Sequence, residues 1–182
     1  MAIIYTYPKL SSLNHKDSFL ITDVSDNNKT KTIAWEDVLS SEGLLQNTKV
    51  TLTSEQILDL HNTPVDLIPA PGPGKIINFI NSISYYDFNT TAYTPTNNQS
   101  VIQLKFAGAN SVVISVIAQT EMLESTIDCY GAVNNWPGFP FQVNTSTLLP
   151  NAALQAYIPT AGPVTLGDSP IHVYLSYIIK NL

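Results

Sequence analysis

The sequence predicts an all-β protein folded as an antiparallel β-sandwich, and two observations lead to that prediction. Only 12% of the 182 residues are charged, whereas Val, Ile, Thr and Tyr are abundant, a composition that favours strands over surface helices. Seven or eight strand-like segments also follow one another, separated by turns rich in Gly, Pro, Asn and Asp. Such regular spacing with little helix is typical of a sandwich, and we expect a jelly roll.

The first 47 residues differ in character from the rest and are predicted to form a unit of their own. Residues 18–24 and 30–34 have strand patterns, and an Asx-rich turn joins them into a hairpin. One helical turn is expected at residues 35–39, followed by a linker at residues 41–47. Because a lone hairpin is marginally stable in water, we expect this unit to dock on its own C-terminal domain, a symmetry mate or another protein.

The second predicted unit, residues 48–182, is arranged around residues 53–93. Thr53 and Gln56 are spaced as a capping box requires, so a short helix is predicted to start there. Pro64 ends that helix, because proline cannot continue it. Two glycines and two prolines then make a tight turn ahead of a long strand.

That long strand is predicted at residues 75–86, whose apolar side chains fall on both faces. A strand of this kind needs cover on both sides, and we expect a threefold neighbour to supply the outer cover. Residues 119–150 are predicted to be irregular, and a long loop inside a domain is usually functional or an interface element. Further strands are predicted at residues 101–106, 111–118, 152–158 and 171–180, the last with Ile171, Val173, Leu175, Tyr177 and Ile179 on one face.

Five short motifs stand out in the first half of the chain. Residues 1–8 contain MAIIY and YP, and residues 20–25 read LITDVS. These are similar to a recurrent N-terminal motif in virion appendage proteins of crAss-like and related bacteroidetal phages. Residues 62–64 (NTP) and 71–75 (PGPGK) resemble the opening of a small phage β-sandwich that trimerises as a head fibre, decoration or tail appendage. Pro73 departs from that pattern, which usually has a small residue there.

This resemblance implies a non-enzymatic virion structural protein, made in the cytoplasm of the bacterial host. It would be a homotrimeric head fibre or capsid decoration on the outer capsid surface, with a tail or neck appendage as the alternative. Its implied partners are further copies of itself and the capsid or other virion structural proteins. Residues 1–47 would anchor the protein, since an extended apolar terminus can add to the edge of a partner's sheet, and residues 48–182 would trimerise and be displayed. Anchoring contacts are expected at Ile3, Ile4, Tyr5, Tyr7, Pro8, Phe19, Ile21 and Trp35.

No pattern for a metal, a cofactor or a catalytic centre is found in the sequence, so we expect no cofactor and no enzymatic activity. His15, His61 and His172 match no zinc spacing, and Cys129 is the only cysteine. The sequence starting at Asp23 does not match a calcium-binding loop, because an EF-hand requires Gly at its sixth position and Glu at its twelfth.

Charge and hydropathy exclude two further classes of partner. The net charge is −6 and the eight basic residues are scattered singly, so no nucleic-acid partner is expected. No apolar run approaches the roughly 20 residues that a membrane-spanning helix needs, so no membrane partner is expected either.

Trp136, Phe139 and Phe141 form an aromatic cluster that has two interpretations. The prolines and the glycine around them favour packing, either beneath the long loop or against a neighbouring subunit. In the alternative, the protein is a host-glycan-binding module that stacks Trp136, Phe139 or Tyr130 on a bacterial surface glycan. A depolymerase is disfavoured, because no acid pair or nucleophile constellation is found in the sequence.

Overall fold

A computed structural model describes residues 17–34, 38, 43–108, 113–134 and 150–182, and the chain falls into two units, Met1–Leu44 and Leu45–Leu182. Residues 45–47, which the sequence assigned to a linker, are the first residues of a strand. The linker prediction is therefore wrong at these three positions. Two of them are polar, and their pairing with the C-terminal strand outweighs their weak strand propensity.

The described part of the smaller unit is an antiparallel hairpin of β1 (Ser18–Asp23) and β2 (Lys29–Ala34), as predicted. A 3₁₀ turn at Val24–Asp26 joins the strands. The Asp23 carboxylate caps this turn by accepting a hydrogen bond from the Ser25 N–H at 2.9 Å. Two asparagines in left-handed conformations complete the turn, which asparagine tolerates better than most residues.

Ion pairs close the turn of this hairpin. Lys31 Nζ lies 2.7 Å from the Asp23 carboxylate and 3.0 Å from that of Asp26, and Lys29 Nζ lies 3.0 Å from Asp26. These lysines hold the pKa of both carboxyls below its usual value, and the carboxylates raise the pKa of Lys31. Ammonium groups therefore engage both of the carboxylates that a calcium ion would need at this turn.

In the described residues, the larger unit contains ten strands and two short helices. In chain order they are β3 (Leu45–Leu52), α1 (Ser54–Asp59), β4 (Val65–Ile68), β5 (Lys75–Tyr86), β6 (Thr94–Pro95), β7 (Ile102–Phe106), β8 (Val113–Ala118), α2 (Thr120–Leu123), β9 (Cys129–Asn134), β10 (Leu154–Tyr157), β11 (Val164–Thr165) and β12 (Ile171–Asn181).

Eight of these strands form two antiparallel sheets of four strands each. The first sheet has the order β3-β12-β5-β9, and the second has the order β4-β10-β7-β8. Along the chain, successive strands of the sandwich alternate between the two sheets at every step except the β7–β8 hairpin. This connectivity is that of a jelly roll, so the predicted all-β antiparallel sandwich is confirmed. The strands β6 and β11 form a separate two-stranded ladder.

The core lies between the two sheets, because each inner face presents alternating apolar residues. Ile171, Val173 and Leu175 of β12 and Ile102 and Leu104 of β7 are fully buried, as the alternation in the sequence predicted. All five belong to one continuous cluster of buried apolar side chains. Burial of this kind supplies most of the favourable free energy of folding.

The short helix α1 starts with the predicted capping box. The Thr53 N–H donates to Gln56 Oε1 at 3.0 Å, and the Gln56 N–H donates to Thr53 Oγ1 at 3.3 Å. Ile57 and Leu60 are fully buried, so the apolar side of the helix packs on the core of the sandwich. The capping residues thereby fix where the chain turns between β3 and β4.

The stretch at residues 119–150, which was predicted to be irregular, contains both a helix and a strand. After α2, the strand β9 joins the first sheet by pairing with β5, and Tyr130 lies opposite Tyr85. The prediction was wrong because β9 is short, contains Gly131, and precedes a segment rich in proline and glycine. Residues 135–149, which hold the predicted aromatic cluster, lie outside the described residues.

Asp168 joins two loops that are distant in sequence. Its carboxylate accepts hydrogen bonds from the backbone N–H groups of Thr90 (3.2 Å) and Thr91 (2.9 Å), from the Thr90 hydroxyl, and from Asn89 Nδ2 at 3.0 Å. The Thr90 hydroxyl, followed by the Thr91 N–H, lowers the pKa of Asp168 to about 2. The loop between β5 and β6 is thus tied to the loop between β11 and β12.

Gly167 lies beside this junction in a left-handed conformation, with φ +93°. It faces the buried ring of Tyr93, whose hydroxyl donates to the Ser169 carbonyl oxygen at 2.6 Å. A Cβ atom at Gly167 would overlap that ring, whereas a Cβ at Gly74 (φ +71°) would meet open space.

We predict that Gly167→Ala lowers the free energy of unfolding by about 2–5 kcal/mol. The left-handed backbone costs an alanine about 1–2 kcal/mol, and overpacking against Tyr93 adds about 1–3 kcal/mol. Gly74→Ala is the matched control and should lose only about 1–2 kcal/mol. Urea unfolding measures both changes, and equal losses would contradict the packing of Tyr93 on Gly167.

We also predict that Asp168 makes folding sensitive to acid. Because its pKa is lowered in the folded state, the unfolded chain binds the proton more readily. The contribution to stability is present above the unfolded pKa of about 3.9 and is lost as pH falls through the folded value. In urea unfolding between pH 5 and pH 2, the free energy of unfolding should fall less steeply with decreasing pH for Asp168→Asn than for the unaltered chain. Thr90→Val removes the hydroxyl that contributes most to the lowered pKa of Asp168, so its slope should lie between those of the other two. Identical slopes in all three proteins would refute the role of Asp168 in acid sensitivity.

Candidate interaction surface

The outward side of the first sheet is built from the side chains that alternate with the core residues. Pairing of the strands places these side chains in rows across the sheet. We call the three central rows the tyrosine face. They are Thr51, His172, Tyr85 and Tyr130; then Lys49, Tyr174, Ile83 and Ala132; then Asn47, Ser176 and Asn81.

The tyrosine face carries exposed aromatic and aliphatic side chains and only one lysine, where a solvent-facing sheet usually carries many charges. Tyr130 is 79% exposed, Ile83 48% and Tyr174 42%. Lys49 is the only lysine, arginine or acidic residue in the three rows. The centres of protein interfaces are enriched in tyrosine and depleted of charge, and clustered exposed apolar residues mark interaction sites. The apolar pattern of β5 predicted an outer cover, yet about half of the Ile83 side chain is exposed in the structure.

The outward side of the second sheet provides the contrast. There, Gln155 Nε2 donates to the Asp66 carboxylate at 2.7 Å, and the Tyr157 hydroxyl donates to Gln103 Oε1 at 2.6 Å. Lys105 Nζ lies 4.3 Å from the centre of the Tyr157 ring. These polar side chains satisfy one another in a way that suits contact with water. The two outer faces of the same sandwich therefore differ in kind.

A chain of polar contacts borders one end of the tyrosine face. His172 Nδ1 lies 2.8 Å from Thr51 Oγ1, and its Nε2 lies 3.5 Å from the Asp87 carboxylate. The Tyr85 ring stacks on the imidazole with 6.0 Å between ring centres, and its hydroxyl donates to Asp128 Oδ2 at 2.9 Å. This hydrogen bond raises the pKa of Tyr85. The sheet register thus gives each of the two aspartates, Asp87 and Asp128, an aromatic partner.

The middle of the tyrosine face contains a shallow depression of about 440 Å³. Its floor is low because the third row consists of small residues, Asn47, Ser176 and Asn81. The bulky second row, with Tyr174 and Ile83, forms one wall. A β-bulge between β5 and β12 falls beside the third row, and bulges bend a sheet locally. The depression is thus a product of side-chain size and of backbone irregularity.

Within the described residues, no three His, Cys, Asp or Glu side chains are grouped so that they could hold a metal ion. His61 Nδ1 lies 3.1 Å from the Leu58 carbonyl oxygen, and Cys129 is half-buried without a disulfide partner. In the part of the chain that the structure describes, no helix is long and apolar enough to cross a membrane.

The structure describes two of the residues expected to anchor the protein. Phe19 and Ile21, alternate residues of β1, are 36% and 40% exposed, and Leu20 between them is more exposed at 78%. The hairpin therefore presents apolar side chains on both of its faces. The other expected anchoring residues and the aromatic cluster lie outside the described residues; they are Ile3, Ile4, Tyr5, Tyr7, Pro8, Trp35, Trp136, Phe139 and Phe141.

Sequence reasoning found part of the tyrosine face and missed the rest. Ile83 was recognised within a strand with two apolar faces, and Tyr130 as a candidate stacking residue. Tyr174 and Lys49 were missed, although Tyr174 lies on the alternate face of a strand whose core face was predicted. An analysis of both faces of that strand would have identified Tyr174. Nothing in the local sequence marks Lys49 as part of this surface, because its position depends on the pairing of β3 with β12.

Comparison of the chain with protein-family models, with curated proteins and with solved structures found no match.

Proposed function

We propose that the protein is a structural component of a bacteriophage virion, a homotrimer whose jelly roll is displayed and whose N-terminal unit attaches it to the particle. The proposal assigns it no catalytic activity. The protein would act through two interaction surfaces, the tyrosine face of the jelly roll and the hairpin of the smaller unit with its exposed apolar side chains.

The observation that supports this proposal most strongly is the tyrosine face. Jelly rolls occur in viral capsid and lectin domains, but a fold alone does not decide among functions. The function must therefore be inferred from the surface. On it, Tyr130, Ile83 and Tyr174 are exposed, and few charged residues surround them. That composition is typical of a surface that meets another protein. It agrees with the sequence resemblance to trimeric appendage proteins.

The hairpin of the smaller unit supports the attachment half of the proposal. Leu20 and Val24 are 78% and 81% exposed, and Phe19 and Ile21 are 36% and 40% exposed, and several exposed large apolar side chains on one short hairpin favour docking on a partner. The ion-paired turn leaves the tip of the hairpin without unpaired lysines or aspartates among the described residues. Because the lysines and aspartates neutralise one another at this tip, the hairpin offers no free cationic patch for phosphates and fits a protein partner better than a nucleic acid.

One observation also favours the second candidate, a glycan-binding module. Tyr130 is the most exposed of the described aromatic residues, and an exposed tyrosine combines an apolar ring with a polar tip. Glycan-array binding by the full chain, abolished by Tyr130→Ala, would favour this candidate. Absence of binding by a folded, particle-competent protein would leave the structural role as the function.

We predict a trimer of about 60 kDa, three times the 19.9 kDa chain, whose mass does not change over a wide range of micromolar concentrations. Light scattering coupled to size-exclusion chromatography measures it. A monomeric mass at every concentration would contradict the homotrimer.

We further predict that deleting residues 1–44 leaves a folded trimer that no longer joins phage particles. The deletion ends at Leu44 because the next residue starts β3, and a longer deletion would damage the first sheet. Circular dichroism and light scattering report on the remaining jelly roll, and mass spectrometry of purified particles reports on incorporation. Unfolding of the remainder would refute the independence of the two units, and normal incorporation would refute the anchoring role.

A further inference from the structure

We propose that the copies are joined by a contact between unlike patches of the tyrosine face, in which Tyr130 of one copy enters the depression beside Tyr174 of the next. This inference rests on the proposed homotrimer and names the surfaces that form it.

A threefold assembly requires a contact of this type. A closed trimer is built from heterologous interfaces, in which one patch meets a different patch on the neighbour, whereas a twofold dimer uses the same patch twice. The first sheet offers one projecting patch and one recessed patch. They lie on different strands, so a single copy can use both at once.

The projecting patch lies at the edge of the sheet. Tyr130 belongs to β9, the last strand in the sheet order, and is 79% exposed; Ile127, just before that strand, is 70% exposed. A tyrosine is a frequent anchor at protein interfaces because it buries a large ring at low entropic cost. An edge strand also gains from cover by a neighbour.

The recessed patch has the size and the chemistry to receive such an anchor. Its volume of about 440 Å³ exceeds that of a single tyrosine side chain, so this shallow, open depression can accept one. Tyr174 and Ile83 supply an apolar wall. At the floor, the Ser176 hydroxyl donates to Asn47 Oδ1 at 2.7 Å. The Asn81 amide makes no side-chain hydrogen bond to the described residues, so it is available to the phenolic hydroxyl of Tyr130.

Charge complementarity favours a second copy as the occupant. The chain has a net charge of −6, so copies repel one another unless their contact brings a cation of one copy to an acid of the next. At the rim of the depression, Lys49 Nζ lies 5.4 Å from the centre of the Tyr174 ring and forms no ion pair with a described residue. On the projecting side, Asp128 lies two residues before Tyr130, and its carboxylate is held by Tyr85 and by the Phe88 N–H. A copy therefore presents an acid on one patch and an unpaired cation on the other.

Two substitutions test the contact from opposite sides. Tyr130→Ala removes the anchor, and Ser176→Trp fills the depression. Each should weaken association at least about 30-fold, the loss expected for a central interface anchor, and shift the light-scattering mass from trimer towards monomer at low micromolar concentration. Tyr130→Phe keeps the ring and should retain most of the assembly. Val113→Trp is the matched control, because Val113 is an exposed outward residue of the second sheet and its replacement should leave the trimer intact.

A cross-linking experiment distinguishes unlike from like patches and does not depend on loss of assembly. In a Cys129→Ser background that keeps Tyr130, the exposed Ile127 of the projecting patch is replaced in Ile127→Cys, which is combined with Asn47→Cys in one chain and treated with a short bismaleimide. The proposed contact predicts covalent trimers on a denaturing gel. Each single-cysteine chain, which lacks one side of the contact, should stay uncross-linked.

The outcomes separate this inference from the proposed function. If the unaltered chain is a trimer and folded Tyr130→Ala and Ser176→Trp variants assemble as tightly, the contact is overturned while the homotrimer stands. Covalent dimers alone, or no cross-links in the double-cysteine trimer, also overturn it. A monomeric unaltered chain overturns the homotrimer itself.

Discussion

The pairing of β12 with β5 is the constraint on which the rest of the structure depends. The two longest strands of the sandwich run antiparallel from Ile171 opposite Tyr86 to Asn181 opposite Lys75. In the regular part of this ladder, inward residues such as Val173 and Leu175 belong to the core, and outward residues such as Tyr174 and Ile83 belong to the tyrosine face, because side chains alternate along a strand. A shift of register by one residue would exchange the two sets. The core and the candidate interaction surface are therefore fixed by the same hydrogen bonds.

The irregularity in that ladder has a local consequence. The bulge between β5 and β12 interrupts the register next to Ser176, and the small residues around it leave the sheet surface low. Elsewhere the outer face is raised by tyrosine and isoleucine side chains. A flat sheet with uniform side chains would offer a partner no distinct place to bind. Here, one irregularity and one row of small residues distinguish a recessed patch from a projecting one.

Much of the fold could be predicted because its signals are local. The capping box of α1 and the alternation of β7 and β12 each lie within a few consecutive residues, and all are present as expected. The strand β9 could not be recognised, because six residues with a central Gly131 carry a weak pattern. The rows of the tyrosine face could not be predicted from the sequence for a different reason. Lys49, Ile83 and Tyr174 come from three distant parts of the chain and become neighbours only through the strand order of the jelly roll.

Assembly of copies of the chain should cover the tyrosine face, and hydroxyl-radical footprinting tests this claim most directly. The protein is labelled as the micromolar trimer and again after dilution to nanomolar concentrations below its assembly midpoint, and modification is read at individual tyrosines by mass spectrometry. The account predicts that Tyr130 and Tyr174 become protected on assembly, while Tyr157, on the outward side of the second sheet, reacts equally in both samples. Unchanged reactivity of Tyr130 and Tyr174 in a fully assembled sample would contradict it.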